Sequence, residues 1–256
     1  DLIKVRNVRS RILEPGFGYI RISQFQARTG DDLRKHIRDL KDEEPDGLRG
    51  LIIDIRNNPG GILGAAVSVA DAFLDSGMIV YTEGRIKDSQ LEFNAKPPDL
   101  LHGAPLIVLV NEGSASASEI VAGALQDRER ALIMGRPTFG KGSVQTILPM
   151  NNKAALKLTT ARYFTPSGRS IQAEGIKPDI IIDKVKVSAV KAAATEAVKE
   201  ANLNRHLENP EESEESNKVE EKDSGEQPLA QRDYALYEAL NLLKGMDVLY
   251  ARTPTP

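Results

Sequence analysis

The chain has 256 residues, 40% of them hydrophobic, a size and apolar content that fit a packed globular core and exclude a disordered or disulfide-stapled chain. Thirty-four Lys and Arg against 37 Asp and Glu leave a formal net charge of -3, which offers no general attraction to nucleic acid or to an anionic membrane surface. With no cysteine, a thiol nucleophile and any Cys-ligated metal are excluded as well. The chain opens at Asp1 with no initiator Met, basic segment or apolar signal core, so it reads as a fragment or as a chain whose signal has been removed. No apolar run reaches the roughly 18 residues of a transmembrane helix.

Between residues 16 and 182 short apolar runs alternate with amphipathic stretches, the pattern of an α/β fold with strands crossed by helices. Gly18 to Phe25 alternates with period two and predicts a strand. Asp31 to Lys41 predicts a helix, with Leu33, Ile37 and Leu40 on one face and Thr29 or Asp31 as its cap. Leu48 to Ile55 is a buried strand. The breaker cluster Asn57-Asn58-Pro59-Gly60-Gly61 follows, and Leu63 to Leu74 resumes as an apolar helix. Ile79 to Tyr81 and Pro105 to Val110 read as strands separated by a hairpin or irregular loop over Gly84 to Pro98. Ser118 to Asp127 reads as a helix and Ala131 to Met134 as a strand. Val144 to Pro149 and Ala155 to Arg162 form an antiparallel pair turned at Asn151-Asn152, which makes the sheet mixed.

The character changes at Lys184. Val187 to Leu203 has helical spacing rich in Ala, Val, Lys and Glu. Residues 208 to 227 carry nine acidic and two basic side chains and no aromatic, a composition unable to bury enough apolar surface to offset chain entropy. Gln231 to Leu249 is amphipathic, and its apolar face needs a partner, for which a subunit interface is the expectation.

His36, His102 and His206 lie neither beside a serine-rich turn nor in metal-ligand spacing, so neither a metal site nor a Ser-His pair is expected. The informative segment is Gly113-Ser114-Ala115-Ser116-Ala117-Ser118-Glu119, between a strand and a helix. Small residues there let a hydroxyl stand clear, while unpaired N–H groups at the helix start face developing negative charge. Without a suitable histidine, the candidate base is a lysine that burial or a cationic neighbour makes neutral. Lys141, in Pro137-Thr138-Phe139-Gly140-Lys141-Gly142, is that candidate, with Phe139 and nearby strands as a desolvating wall. Read on composition alone, Gly-Lys-Gly is also a common exposed turn and the Ser-Ala repeat a common helix cap.

The strings Gly18-Tyr19-Ile20-Arg21-Ile22-Ser23-Gln24-Phe25, Asp54-Ile55-Arg56-Asn57-Asn58-Pro59-Gly60-Gly61, Ser114 to Glu119, Thr138 to Gln145, Leu158 to Gln172 and Gly175-Ile176-Lys177-Pro178-Asp179 occur in this order. Together they resemble the carboxy-terminal processing proteases, the tail-specific S41 serine peptidases, over residues 14 to 182. The resemblance implies a crotonase- or ClpP-like mixed α/β core and a Ser-Lys endopeptidase cutting proteins near their C-termini, with no cofactor or metal. Its nucleophile falls on Ser116, its base on Lys141, 25 residues on, and its third member on Gln145, which would hold the lysine by hydrogen bonding. Asp127 matches an acidic position sometimes included in the set; the competing reading is a helix-end carboxylate paired with Arg128 or Arg130. Ala117 with Gly60 or Gly61 would supply oxyanion-hole amides. Ser114 and Ser118 are the alternative nucleophiles.

Four residues of straight strand would part Lys141 and Gln145 by about 13 Å, so their contact predicts a turn or helical turn over 141 to 145. The expected organisation is a linker remnant over 1–13 to a PDZ domain absent from this sequence, a protease core over 14–183, a helix over 184–207, an acidic disordered linker over 208–228 and an oligomerisation helix over 229–256. Partners would be proteins with accessible C-termini, a second copy of the chain, and an activating or adaptor protein. The resemblance places the protein in a bacterial periplasm or envelope. A catalytically silent peptide-binding scaffold is the rival reading, and an acyl-transfer enzyme acting on small esters a third.

Overall fold

A computed structural model describes residues 6–84, 90–150, 154–188 and 227–252. In chain order the elements are β1 (Val8–Glu14), β2 (Phe17–Ile22), α1 (Thr29–Glu43), β3 (Gly50–Asp54), α2 (Leu63–Asp71), β4 (Met78–Gly84), β5 (Glu92–Asn94), β6 (Leu106–Val110), α3 (Ala117–Asp127), β7 (Leu132–Gly135), β8 (Ser143–Pro149), β9 (Ala155–Phe164), β10 (Ile180–Ile181), α4 (Leu229–Arg232) and α5 (Tyr234–Arg252). Six strands form one sheet in the order β1-β2-β3-β6-β7-β10. β1 is antiparallel to β2 and every other neighbour pair is parallel, so the sheet is mixed, but through β1 and not through the pair at 144–162 from which a mixed sheet was expected. A second, antiparallel sheet runs β5-β4-β9-β8.

Parallel strands in the middle of a sheet are covered on both faces, and all five residues of β3 and of β6 are buried. Their alternation divides two cores. Leu51, Ile53, Leu106 and Val108 join the core that includes Leu33 and Ile37 of α1, Val69 of α2 and Ile120 of α3. Ile52, Ile107 and Leu109 point the other way, onto Leu236, Ala239, Leu240 and Leu243 of α5.

That second core corrects an expectation. The sequence leaves the apolar face of the C-terminal helix without an evident partner and so suggests a subunit interface, yet α5 lays that face on the sheet of its own chain. Residues 8–13, expected to be linker, instead belong to β1, paired with β2 from Val8↔Ile22 to Glu14↔Phe17. Neither Thr29 nor Asp31 caps α1: Arg28 holds the cap position, and the Thr29 hydroxyl accepts from the Gln26 amide at 2.8 Å. The turn at Asn151-Asn152, most of the helix over 187–203 and most of the acidic segment lie outside the described residues.

Candidate active site

Two loops meet at the C-terminal ends of β3 and β6. The first, Asn57 to Gly61, leaves β3; the second, Asn111 to Ser116, leaves β6 and starts α3. Their amides are reciprocal: Asn57 N donates to Asn111 Oδ1 at 2.7 Å, and Asn111 Nδ2 donates to Asn57 Oδ1 at 2.9 Å. Asn58, fully buried, accepts on its carbonyl from Ala115 N at 3.0 Å and from the Ser118 hydroxyl at 2.9 Å. The chain thus draws the glycine pair onto the serine turn with hydrogen bonds buried away from water, where each is strongest and most costly to lose.

Among the three serines of the turn, environment separates one from two. Ser114 is fully buried and donates its hydroxyl to the Ile55 carbonyl at 2.9 Å; Ser118, equally buried, donates to Asn58. Both hydroxyls are thus committed to backbone carbonyls. Ser116 is partly exposed and stands at the N-cap of α3 with φ 55° and ψ -112°, a backbone conformation that a non-glycine residue rarely adopts. Among the described residues the amide of Ala117, the first residue of α3, donates to no acceptor, as expected of a first-turn N–H.

The glycine pair divides unequally. Gly60 N donates to Asn58 Oδ1 at 2.9 Å, so that amide is occupied, whereas Gly61 N donates to no acceptor among the described residues. Both positions require glycine. Gly60 sits at φ +98°, and a Cβ there would come within 2.6 Å of the Ala115 carbonyl oxygen; Gly61 sits at φ +149° with the Phe25 carbonyl oxygen 2.0 Å from where a Cβ would be. Of the two candidates, Gly61 has the amide available to pair with Ala117 around an oxyanion.

A residue that the sequence reading passed over ties serine to lysine. Glu119, fully buried, accepts on Oε2 from Ser116 N at 2.7 Å and from Lys141 N at 2.8 Å. Its Oε1 accepts from Gly140 N and from the Thr138 hydroxyl, each at 2.6 Å. Four donors thus surround one carboxylate, and the backbones of the two candidate residues are joined through a single oxygen atom. The sequence carried the signal, since Ser116-x-x-Glu119 is a capping-box pattern. Gly140 and Gly142 allow the lysine loop to lie against residues 171 to 175, where a Cβ on Gly142 would reach within 2.5 Å of Gln172 N.

Lys141 is half-buried, and among the described residues no carboxylate pairs with its ammonium. Phe139, expected to desolvate it, is 67% exposed and forms no such wall. The turn expected over 141 to 145 is also absent: β8 is extended from Ser143, and Gln145 pairs with Thr159 where the register skips Thr160 of β9. Extension wins because β9 supplies a complete ladder of backbone partners. Gln145 is exposed and makes no recorded hydrogen bond to Lys141.

Asp127 lies at the far end of α3, about 16 Å along the helix axis from Ser116 at 1.5 Å per residue. Its partners are neither Arg128 nor Arg130: it accepts from Ser167 N at 2.8 Å and pairs with Arg169, while Arg128 donates to the Met78 carbonyl and Arg130 to Asp99. Burial pushes the Asp127 carboxyl up, but hydrogen bonds from Ser167 and Thr165 and the charge of Arg169 outweigh it and hold the group below its ordinary range. Among the described residues no cluster of His, Asp and Glu is arranged to hold a metal ion, and no helix is long and apolar enough to cross a membrane.

A serine on a strand-to-helix turn beside free amides has the form of the nucleophile turns of serine hydrolases. The chain belongs to peptidase family S41, whose profile matches residues 16–182. It is 46% identical over 261 aligned positions to the carboxy-terminal-processing protease of Bartonella bacilliformis, which covers 100% of this chain and 58% of that protein. It is 42% identical over 171 positions to the carboxyl-terminal-processing protease of Synechocystis, covering 67% of this chain and 39% of the relative. Among solved structures, a photosystem II D1 C-terminal processing protease matches with a TM-score of 0.63 at 35% identity, over 71% of this chain and 49% of that one. The chain thus spans little more than half the length of the Bartonella relative and less of the other two.

Proposed function

We propose that the chain is the catalytic core of a Ser-Lys endopeptidase that cleaves protein substrates near their C-termini. The observation that carries this reading is Ser116: partly exposed, strained at a helix start, and bracketed by two serines whose hydroxyls are buried and bonded. In the reaction, neutral Lys141 Nζ takes the proton of Ser116 Oγ while Oγ bonds to the peptide carbonyl carbon. The oxyanion lies between the amides of Ala117 and Gly61. Collapse breaks the C–N bond, the lysine returns the proton to the leaving amine, and water then hydrolyses the acyl-serine ester. Glu119 keeps the two reacting residues in register through their backbones.

Gln145 favours a second reading of the same site, a resting arrangement. Standing exposed on β8, it does not brace Lys141, and an activating or adaptor protein would be needed to bring it there. The kinship with bacterial carboxy-terminal-processing proteases supports substrates with accessible C-termini, and a bacterial envelope is the location inferred with it.

The test is degradation of an unstructured protein with a defined C-terminal tail by the chain and by its Ser116→Ala and Lys141→Ala variants, with Ser114→Ala as a folding control. Cleavage lost in the first two variants supports the Ser-Lys assignment. A folded but inert unmutated chain supports the resting arrangement. Cleavage surviving in Ser116→Ala would overturn both.

A further inference from the structure

The glycine loop is gripped from its other end by the C-terminus of the chain. Asp54, the last residue of β3, is buried and takes the Tyr19 hydroxyl at 2.8 Å, Arg21 at 2.5 Å, and both the amide and the guanidinium of Arg56. The other edge of that guanidinium forms a fork onto Asp233: NH1 to Oδ1 at 2.9 Å and NH2 to Oδ2 at 2.7 Å. Asp233 is the single residue between α4 and α5, and its Oδ1 also accepts from Leu236 N at 3.1 Å, in the first turn of α5. Arg56 is only 18% exposed, and the residue after it is Asn57, the start of the loop that seats Gly60 and Gly61 against Ser116.

We propose that α4 and α5 form a C-terminal strap whose Asp233–Arg56 fork sets the Asn57–Gly61 loop, making Asp233 a positioning residue for the hydrolytic site. Three observations converge. A bidentate guanidinium–carboxylate pair fixes orientation as well as distance, so it can define the exit angle of the chain from β3. From Asp233 the contacts are contiguous: Arg56 leads by one peptide bond to Asn57, which exchanges amide hydrogen bonds with Asn111, and Asn58 in turn holds Ala115 and Ser118. The fork also borders an open cavity of about 460 Å³ that Asn57, Asn111 and Asp233 line, so the pair sits at the edge of the space beside the loop. Hydrogen bonds to Asp233 and Asp54 outweigh burial and raise the Arg56 pKa, consistent with a pair fully charged at any working pH.

The structural half of this inference stands alone; its catalytic half rests on the endopeptidase reading. Asp233→Asn is the informative variant, because asparagine caps a helix as well as aspartate does but cannot accept two charged donors on two oxygens. Hydrogen exchange on the full chain should show the hydrogen-bonded amides of Asn57, Asn58 and Gly60 exchanging roughly tenfold faster in this variant, with 236–243 still protected. Arg56→Gln, which leaves the α5 cap untouched, should do the same. Lys244→Ala, which breaks a different α5 ion pair, to Glu14, should leave 57–61 unchanged. In the degradation assay Asp233→Asn should lower kcat roughly tenfold with KM unchanged, and Asp233→Glu should restore part of the loss.

Unchanged 57–61 exchange in both Asp233→Asn and Arg56→Gln, with α5 still protected, overturns the strap. So does equal loosening in Lys244→Ala. An inert unmutated chain would count against an assembled protease site only, since the exchange comparison still decides whether Asp233 holds the loop.

Discussion

Gly60 and Ser116 are in contact without room for a methyl group: a Cβ on Gly60 would lie 2.9 Å from Ser116 Cβ. The obstruction is also backbone, with the Ala115 carbonyl oxygen 2.6 Å and Ala117 N 3.0 Å from the same point, so no rotamer change relieves it. Gly60→Ala adds a residue at φ +98°, where an L side chain is strained. The expected outcome is a folded protein destabilised by about 1–3 kcal/mol, with cleavage reduced by far more than stability, because the clash pushes directly on the serine turn. Thermal melting alongside the tail-cleavage assay measures both; activity surviving at the unmutated level would show that the loop can move away from Ser116 at little cost.

Glu119 offers a harder case, since four donors converge on two buried oxygens. Glu119→Gln keeps the volume but turns one acceptor into a donor facing two other donors. Leaving buried donors unpaired costs about 1–3 kcal/mol each, so a fall in Tm of several degrees is expected with a folded sheet. Cleavage should drop in kcat, because the lysine loop and the serine turn lose their common anchor. A variant that melts lower yet retains its kcat would mean that Glu119 serves stability alone.

Much of this was readable in the residues. The buried strands at β3 and β6 announced themselves as continuous apolar runs, and α1 by the spacing of Leu33, Ile37 and Leu40. The breaker cluster and the small-residue turn located both loops of the site. What could not be read was set by contacts distant in sequence. β1 lacks a clean alternation because only its pairing with β2 makes it a strand. α5 looked unpartnered because its partner face, Ile52, Ile107 and Leu109, is the odd-facing half of strands that sequence shows only as buried throughout. The spacing of Ser116 and Glu119 fits a capping box and went unread; that the same carboxylate also grips Gly140 and Lys141 depends on a loop 21 residues away.

Asp127 gives a pH dependence with a definite sign. Its folded-state pKa lies below the ordinary 3.8, so the group contributes stability that is complete above that value and is lost as pH falls through the depressed one. Asp233 is held low in the same direction by the Arg56 fork, against the opposing effect of burial. Urea midpoints should therefore be flat from about pH 7 to 5 with respect to these two groups and fall on acidification below about pH 4. The fall should be shallower in Asp127→Asn, which removes the titrating group and loosens the Ser167 turn. An equally steep acid limb in that variant would assign the loss to other carboxylates.

Leu243 is fully buried and so close to the sheet that a Cβ on Gly50 would meet it at 2.8 Å, a fit of helix to strand within one chain. A residue seated this way contributes to the fold whatever the oligomeric state. Leu243→Ala removes a buried side chain from a tight site and should cost about 2–5 kcal/mol, read as a lower urea midpoint and a lower Tm. Light scattering on the same sample should give an unchanged molar mass, because the lost contacts lie between α5 and its own β3 and β6. A subunit interface built on this face would behave in the opposite way: molar mass would fall on substitution, and apparent stability would depend on protein concentration. Measuring Leu240→Ala in parallel, at a second buried position on the same helix face, separates a local packing defect from loss of the whole contact.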